Sequence, residues 1–300
     1  MQTRRTFLTS ALAASGLPFA TLLKAEVSLG AGLLTTVSDG HLVLPESFVI
    51  GDVPVEEARA LIEAAGYATD GLEAPCNLTL WRSGDRRVLF DAGSGQGFMP
   101  TAGQIVESLA ALDLSPGDIT DVIFTHGHPD HLWGVLDDFD EPLFAGARHF
   151  MGAGEHAHWS DPGLIDTLPE ARKSFAAGAA RRLELLGDRI ALFGDGDSPV
   201  DGATAVLTPG HTPGHMSFRI TDGEESLLVV GDAIGNGHLA LSRPEWPNPA
   251  DEDPVLGAET RTALLADLAA SGEAMVGFHL PQGGMGLIES ADEGYGFTPL

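Results

Sequence analysis

Cysteine occurs once in 300 residues, at Cys76, so no disulfide can close within the chain. It stands in Ala74-Pro75-Cys76-Asn77-Leu78, just ahead of a strand, where it reads as a small buried residue and not as a nucleophile. Basic residues are also scarce: 16 Lys and Arg face 43 Asp and Glu, for a formal net charge of -27. A surface this acidic repels phosphate backbones and anionic membranes, which excludes nucleic acid as a natural partner and leaves a small-molecule substrate. The acids are spread along the chain and not gathered in a tail, which serves solubility. Tyrosine is confined to Tyr67 and Tyr295. No composition shift marks a linker and no internal repeat is visible, so the chain reads as one domain over residues 26–300 that can bury a full core.

A membrane-spanning run is missing as well. The Ala/Leu-rich segment ending near Leu23 is broken by Gly16 and Pro18 and is too short to cross a bilayer. It follows Thr3-Arg4-Arg5-Thr6-Phe7-Leu8, and two arginines before a modest apolar stretch predict a twin-arginine export signal over residues 1–25, cleaved after Ala25. Its removal takes away Arg4, Arg5 and Lys24 and no acid. The expected location is periplasmic or secreted, with no membrane association once the signal is gone. That route carries folded proteins, which suits an enzyme that loads metal before export.

What the chain does have is histidine in one place. Thr125-His126-Gly127-His128-Pro129-Asp130-His131 follows the apolar run Val122-Ile123-Phe124. Imidazole and carboxylate are the usual ligands of Zn²⁺, and a strand ending in a short turn can aim closely spaced side chains at one point. Alternate residues of an extended chain share a face, so His126, His128 and Asp130 start out pointing one way. His131 joins them only if the backbone changes course, and Pro129 is suited to making that change.

The remaining chain repeats the arrangement. Leu33 to Ile50 reads as strands with a turn at Asp39-Gly40, and Pro54 to Ile62 as a helix with proline and acids in its first turn. Leu78–Trp81 and Arg87–Phe90 form a hairpin that runs into Asp91, a carboxylate placed to orient a ligand histidine from behind. Ala102 to Leu112 is a helix, and Pro169 to Leu186 is the longest helical pattern, with Arg181 and Arg182 near its end where the dipole favours cations. His149, His156 and His158 lie in a segment without clear periodicity and read as surface or pocket-wall residues. The strand Ala203–Leu207 ends near His211 and His215, the strand Ser226–Val230 ends at Asp232, a helix spans Ala258–Ala270, and the strand Ala274–Phe278 delivers His279. Taken separately, His211, Asp232 and His279 are ordinary turn or core residues. An apolar strand ending at a possible ligand four times over is what joins them to the cluster.

With these residues in hand the chain resembles the metallo-β-lactamase-fold hydrolases from about Leu78 to its C-terminus, and within them the exported methyl parathion hydrolase-like and lactonase-like members. The resemblance implies an α+β fold, a four-layer αββα sandwich with the metal site at one edge of two sheets. It implies two divalent metal ions, with Zn²⁺ expected: His126, His128 and His211 on one, Asp130, His131 and His279 on the other, and Asp232 bridging. Asp91 and His215 would stand behind these ligands. Two features narrow the activity. β-Lactamases of this fold lack the bridging aspartate or place a cysteine near it, unlike Gly231-Asp232-Ala233, and homoserine-lactone hydrolases carry a tyrosine three residues beyond it, where this chain has Gly235.

The implied reaction is hydrolysis of an ester-type bond, in an organophosphate triester, an aryl ester or a lactone, by hydroxide shared between two metals. Asp130 and Asp232 are the catalytic carboxylates, Asp130 by helping to handle the proton. Phe98, Trp133, Phe150 and Trp246 are candidate walls of the substrate pocket. A glyoxalase II-like thioester hydrolase is the alternative enzyme, disfavoured by export away from cytosolic glutathione and by the lack of a basic patch. A binding protein that keeps metal as a staple needs four closed ligands, not seven. Oligomeric state and natural substrate are not encoded in any of these patterns.

Overall fold

The computed structural model describes residues 25–69 and 71–300; the expected export signal lies outside the described residues except for Ala25, which is buried and exchanges backbone and side-chain hydrogen bonds with Thr36. Two sheets face each other. The first follows chain order: β1 (Glu26–Leu29), β2 (Gly32–Leu44), β3 (Leu72–Ser83), β4 (Arg86–Phe90), β5 (Asp121–Ile123), β6 (Arg148–Gly152) and β7 (Ile190–Phe193). Strands β1 to β4 form an antiparallel meander and β4 to β7 are parallel. The second contains β8 (Ala203–Leu207), β9 (Met216–Asp222), β10 (Glu225–Gly231), β11 (Ala274–Gly277), β12 (Met285–Ser290) and β13 (Tyr295–Pro299) in the order β13-β12-β11-β10-β9-β8. All its pairs are antiparallel except β10 with β11.

The period-two pattern of these strands builds the layers. In β4, Val88 and Phe90 point between the sheets to join Ile123, Phe218, Leu227 and Val229, while Leu89 points outward with Val122 and Phe124. In β10, Leu228 and Val230 point the other way, onto Leu265 and Leu268. Each such side chain removed from water contributes about 1.5–3 kcal/mol. Helices therefore cover both outer faces, giving the αββα sandwich. They are α1 (Glu46–Ile50), α2 (Val55–Ala64), α3 (Ile105–Ala110), α4 (Pro129–Leu132), α5 (Ala153–Trp159), α6 (Leu164–Thr167), α7 (Lys173–Leu186), α8 (Leu239–Ser242) and α9 (Pro254–Ser271). Among the described residues no helix is long and apolar enough to cross a membrane.

Strand direction places the functional tips. Strands β4 and β5 are parallel, so the residues after them, Asp91 and Thr125–His131, emerge at one rim. Strands β10 and β11 are parallel, and β8 lies two antiparallel steps from β10 and so runs the same way, which brings Asp232, His279 and His211 to a common rim of the second sheet.

Four expectations change. Glu46–Ile50, read as part of the strands, forms the short helix α1 after β2 ends at Leu44. Asp39-Gly40 is a bulge inside the single long strand β2 and not a turn: the Asp39 carboxylate is buried and accepts from the backbone N–H groups of Ser94, Gly103 and Ile105, which holds the kink inward. The longest helix is α9, because Asp253 caps it through Leu256 N, Pro254 opens it and Gly272, at φ 66°, ends it, whereas Glu170–Arg172 is a separate 3₁₀ turn ahead of α7. His149 is neither on the surface nor in a pocket wall, since it points from β6 into the outer core and stacks on Phe124.

Candidate metal centre

After β5 the chain reaches His128, whose own backbone is extended, and Pro129 then opens the single-turn helix α4. His126 and His128 therefore arrive on the strand approach, and the helical turn swings Asp130 and His131 back beside them. His211, Asp232 and His279 come from the rim of the second sheet. All seven side chains are at most 8% exposed. They fall into two groups. His126 Nε2 lies 3.0 Å from His128 Nδ1, which lies 2.8 Å from His211 Nε2. His131 Nε2 lies 3.2 Å from Asp232 Oδ1 and 3.5 Å from Asp130 Oδ2, and His279 Nε2 lies 3.3 Å from Asp130 Oδ2 and from Asp232 Oδ2. The same Asp232 Oδ2 is 3.3 Å from His211 Nε2, so one carboxylate reaches both groups.

Hydrogen bonds on the far side of each ring show what these atoms offer. His211 Nδ1 is held by Asp251 Oδ1 at 3.1 Å, His131 Nδ1 by Asp91 Oδ2 at 2.8 Å and His279 Nδ1 by the Pro75 carbonyl at 2.7 Å. An acceptor on Nδ1 puts the proton there, leaving Nε2 as a lone pair. Three Nε2 lone pairs thus converge on carboxylate oxygens that are themselves only acceptors. Asp130 Oδ2, Asp232 Oδ1 and His131 Nε2 are buried without a hydrogen-bond partner. Such a set of buried acceptors suits divalent cations, and the donor chemistry of imidazole and carboxylate fits zinc and its first-row neighbours.

Electrostatics agrees. Burial, then repulsion from neighbouring imidazoles, holds His126 and His128 well below the ordinary histidine range. Burial alone would lower His279 too, yet Asp232 and Asp130 outweigh it and push it up to about 10; Asp232, Asp130 and Asp91 likewise raise His131. Positive charge is favoured at this point, whether carried by a proton or by a metal ion.

Asp91 accepts from Thr125 N and Oγ1 as well as His131, and its backbone stands at φ 67°, a left-handed conformation uncommon outside glycine. His215 is no ligand: its Nε2 accepts from Asp232 N at 3.0 Å and its Nδ1 meets Thr208 Oγ1, so it steadies the Asp232 backbone as a neutral ring pushed down to about 3 by burial and by His211. Gly231 makes room for this ring, since a Cβ there would stand 2.6 Å from His215 Nε2 and the residue's φ is 54°. Cys76 Sγ sits within 4.8 Å of ligand atoms of Asp130 and His279, buried, and burial keeps its thiol well above the ordinary range.

Two supports escaped the sequence reading. Asp251 holds His211 with one oxygen while the other receives Arg261 Nη1 at 3.2 Å; Arg261 is fully buried inside α9 and also donates to the Pro244 and Trp246 carbonyls. An arginine on an otherwise apolar helix face was its only signal. Glu155 is fully buried and accepts from Gly127 N, Trp159 Nε1, Thr212 Oγ1 and Gly214 N, tying the His126–His128 loop to the His211 loop. Nothing local in its sequence marks it.

An open pocket of about 1120 Å³, its mouth included, has His128, Asp130, His211, Asp232 and His279 at its floor and a mostly apolar wall. Of the four aromatic candidates only Phe98 lines it. Trp133 stands behind Phe98, edge-on at 5.4 Å with the Arg182 guanidinium 4.4 Å over its ring. Phe150 points between the sheets, and Trp246 packs beside Val49, Val53 and Leu239. These three are core because their strands and loops turn them away from the rim.

Residues 71–279 match the family model of the metallo-beta-lactamase superfamily. The N-acyl homoserine lactonase AttM of Agrobacterium fabrum (strain C58 / ATCC 33970) is 28% identical over 138 residues, 44% of this chain and 48% of AttM. The chain's matches span about half the length of such curated relatives. Among solved structures, AbOPH, a hydrolase in the beta lactamase superfamily, is 25% identical with a TM-score of 0.85 over 92% of this chain and 97% of that one. AidC, a dizinc quorum-quenching lactonase, is 24% identical with a TM-score of 0.86 over the same shares and shows the likeness of fold. With the family model covering most of the chain, this protein belongs to the metallo-beta-lactamase superfamily.

Proposed function

We propose that the chain is a metal-dependent hydrolase of uncharged ester-type substrates, a lactone, an aryl ester or a phosphotriester, exported through its twin-arginine signal. The observation that carries this reading is Asp232 Oδ2, 3.3 Å from a histidine of each group, at the floor of an apolar pocket. His126, His128 and His211 would hold one cation and Asp130, His131 and His279 the other, with Asp232 shared. Two divalent ions, zinc or a first-row neighbour by this donor set, would supply Lewis acidity and water that ionises near neutral pH.

The chain's own residues do the rest. Asp91, Asp251 and the Pro75 carbonyl keep three ligand rings in the tautomer that presents Nε2. Asp130 lies at the pocket floor with Oδ2 outside any hydrogen bond and turned to His131 and His279, so this oxygen is the one that would face the cation. The apolar walls of Leu42, Phe48, Phe98 and Phe175 exclude water from the substrate's arm. The lactonase name of AttM and the hydrolase name of AbOPH support this class. A glutathione thioester fits less well, since its carboxylates would meet only Arg172 among the arginines and lysines of the wall, and Arg172 is already tied to the Pro249 and Asp251 carbonyls.

The test is hydrolysis of methyl paraoxon, an aryl ester and a long-chain acyl lactone by metal-analysed protein. Turnover of at least one, lost on chelation and restored by zinc, is expected. Two equivalents of bound metal with no turnover on any of them would replace this reading with a metal-containing binding protein.

A further inference from the structure

One wall of the pocket is built from polar side chains whose acceptor atoms each receive at least one backbone N–H. Asn236 Oδ1 accepts from His238 N at 3.2 Å and Ala240 N at 2.9 Å. Asn248 Oδ1 accepts from Ala250 N at 3.0 Å. His238 Nδ1 accepts from Leu239 N at 2.8 Å, and burial pushes this ring down to about 4, so at neutral pH it is uncharged with its proton on Nε2. Asn236, His238 and Asn248 all line the pocket, and what they have left to give it is N–H.

Tyr67 completes the wall from a different element. It follows α2, lines the pocket, and sets its ring edge-on to His238 at 5.0 Å. Its hydroxyl is buried without a partner, and burial raises its pKa, so it stays a donor. Gly237 is what lets it in: a Cβ at that residue would stand 3.1 Å from Tyr67 Oη. Gly235 does the same for Asn248, whose Nδ2 would lie 3.0 Å from a Cβ there. A buried donor left without an acceptor is unfavourable, and the Tyr67 hydroxyl, beside three side chains that line the same pocket with N–H to offer, calls for a ligand that supplies oxygen.

We propose that Tyr67, Asn236, His238 and Asn248 form a subsite for an uncharged oxygen acceptor, such as an amide or ketone carbonyl, in the part of the substrate that does not react. This rests on the ester-hydrolase reading and assigns specificity within it. The N–H groups of this wall and the Tyr67 hydroxyl can all donate to a carbonyl, so a protonated amine at that point gains less.

The experiment compares 4-nitrophenyl octanoate with analogues in which one CH₂–CH₂ unit of the acyl chain is replaced by an amide at successive positions. The wild-type protein should favour one position by about tenfold in kcat/KM over the plain chain, the worth of one well-placed hydrogen bond. Tyr67→Phe and Asn248→Asp should each reduce that ratio, because the first removes a donor and the second keeps the Ala250 contact while turning the donor into an acceptor. The ratio is internal to each variant, so general damage to turnover cancels. Equal rates across the wild-type series, or a ratio unchanged in both variants, would overturn the subsite. Failure of the ester-hydrolase reading shows itself separately, as no turnover of any ester. The subsite is then decided by calorimetric binding of the corresponding anilides to metal-loaded protein, with the same amide preference and the same loss in the variants expected, and no preference overturning it.

Discussion

The two halves of the ligand cluster differ in how they hold charge. Around His126, His128 and His211, imidazoles meet one another, and burial keeps His126 and His128 neutral. Around His131 and His279, imidazoles meet carboxylates, and the same burial is outweighed so that both rings are raised. The first half offers lone pairs and geometry; the second offers negative charge that a cation must cancel. Asp232 belongs to both, which makes the two halves one centre instead of two.

The strongest way to break this comparison is to remove the shared carboxylate. Asp232→Ala should lower turnover by roughly a thousandfold or more and reduce metal content in both halves, whereas His131→Ala should abolish turnover while emptying only its own half. Elemental analysis beside kinetics separates the two, and full activity in both variants would dismantle the assignment. A smaller effect sharpens it. Asp251→Asn acts behind His211 and Asp91→Asn behind His131, so each should weaken one metal equivalent by about 10–100-fold and spare the other. Competition with a coloured chelator reads this directly, and a uniform weakening of both equivalents in each variant would show that the halves are not separable.

The smallest effect concerns a histidine outside the cluster. His149 is buried with neither ring nitrogen hydrogen-bonded, and burial, with Arg189, pushes it down to about 4 from the ordinary 6.5. A folded-state value below the unfolded one gives stability that is complete above the unfolded value and lost as pH falls through the folded one. Between pH 7.5 and pH 5 this amounts to about 2 kcal/mol. His149→Phe should therefore lose less stability than wild type over that interval, as measured by urea midpoints, because the cluster titrates equally in both proteins and cancels. Identical losses would show that His149 does not carry this acid sensitivity.

The candidate ligands could be singled out because each stands where an apolar run stops, and that pattern survives without any knowledge of what lies across the sheet. Their supports were not. Asp251 and Arg261 are ten residues apart with a helix start between them, and Glu155 touches residues 28 and 59 positions away, so neither pairing leaves a local trace. Phe98 could not be told from Trp133, Phe150 and Trp246 for a related reason: aromatic side chains suit a core and a pocket equally, and the course of the folded strand or loop decides which one they enter. Asp39-Gly40 has the composition of a turn, yet the buried carboxylate gains three backbone N–H donors by staying in the strand.

Alternation of apolar residues, the punctuation by Gly and Pro and the chemistry of seven side chains were determined by the sequence, because these depend on neighbours within a few positions. Which of those side chains come together, which carboxylate stands behind which histidine, and which side chains line the pocket beside them were decided only by tertiary structure. Parallel β4 and β5, parallel β10 and β11, and the return of β8 bring distant strand ends to one rim, and only there do buried lone pairs and unpaired donors acquire partners or a need for them.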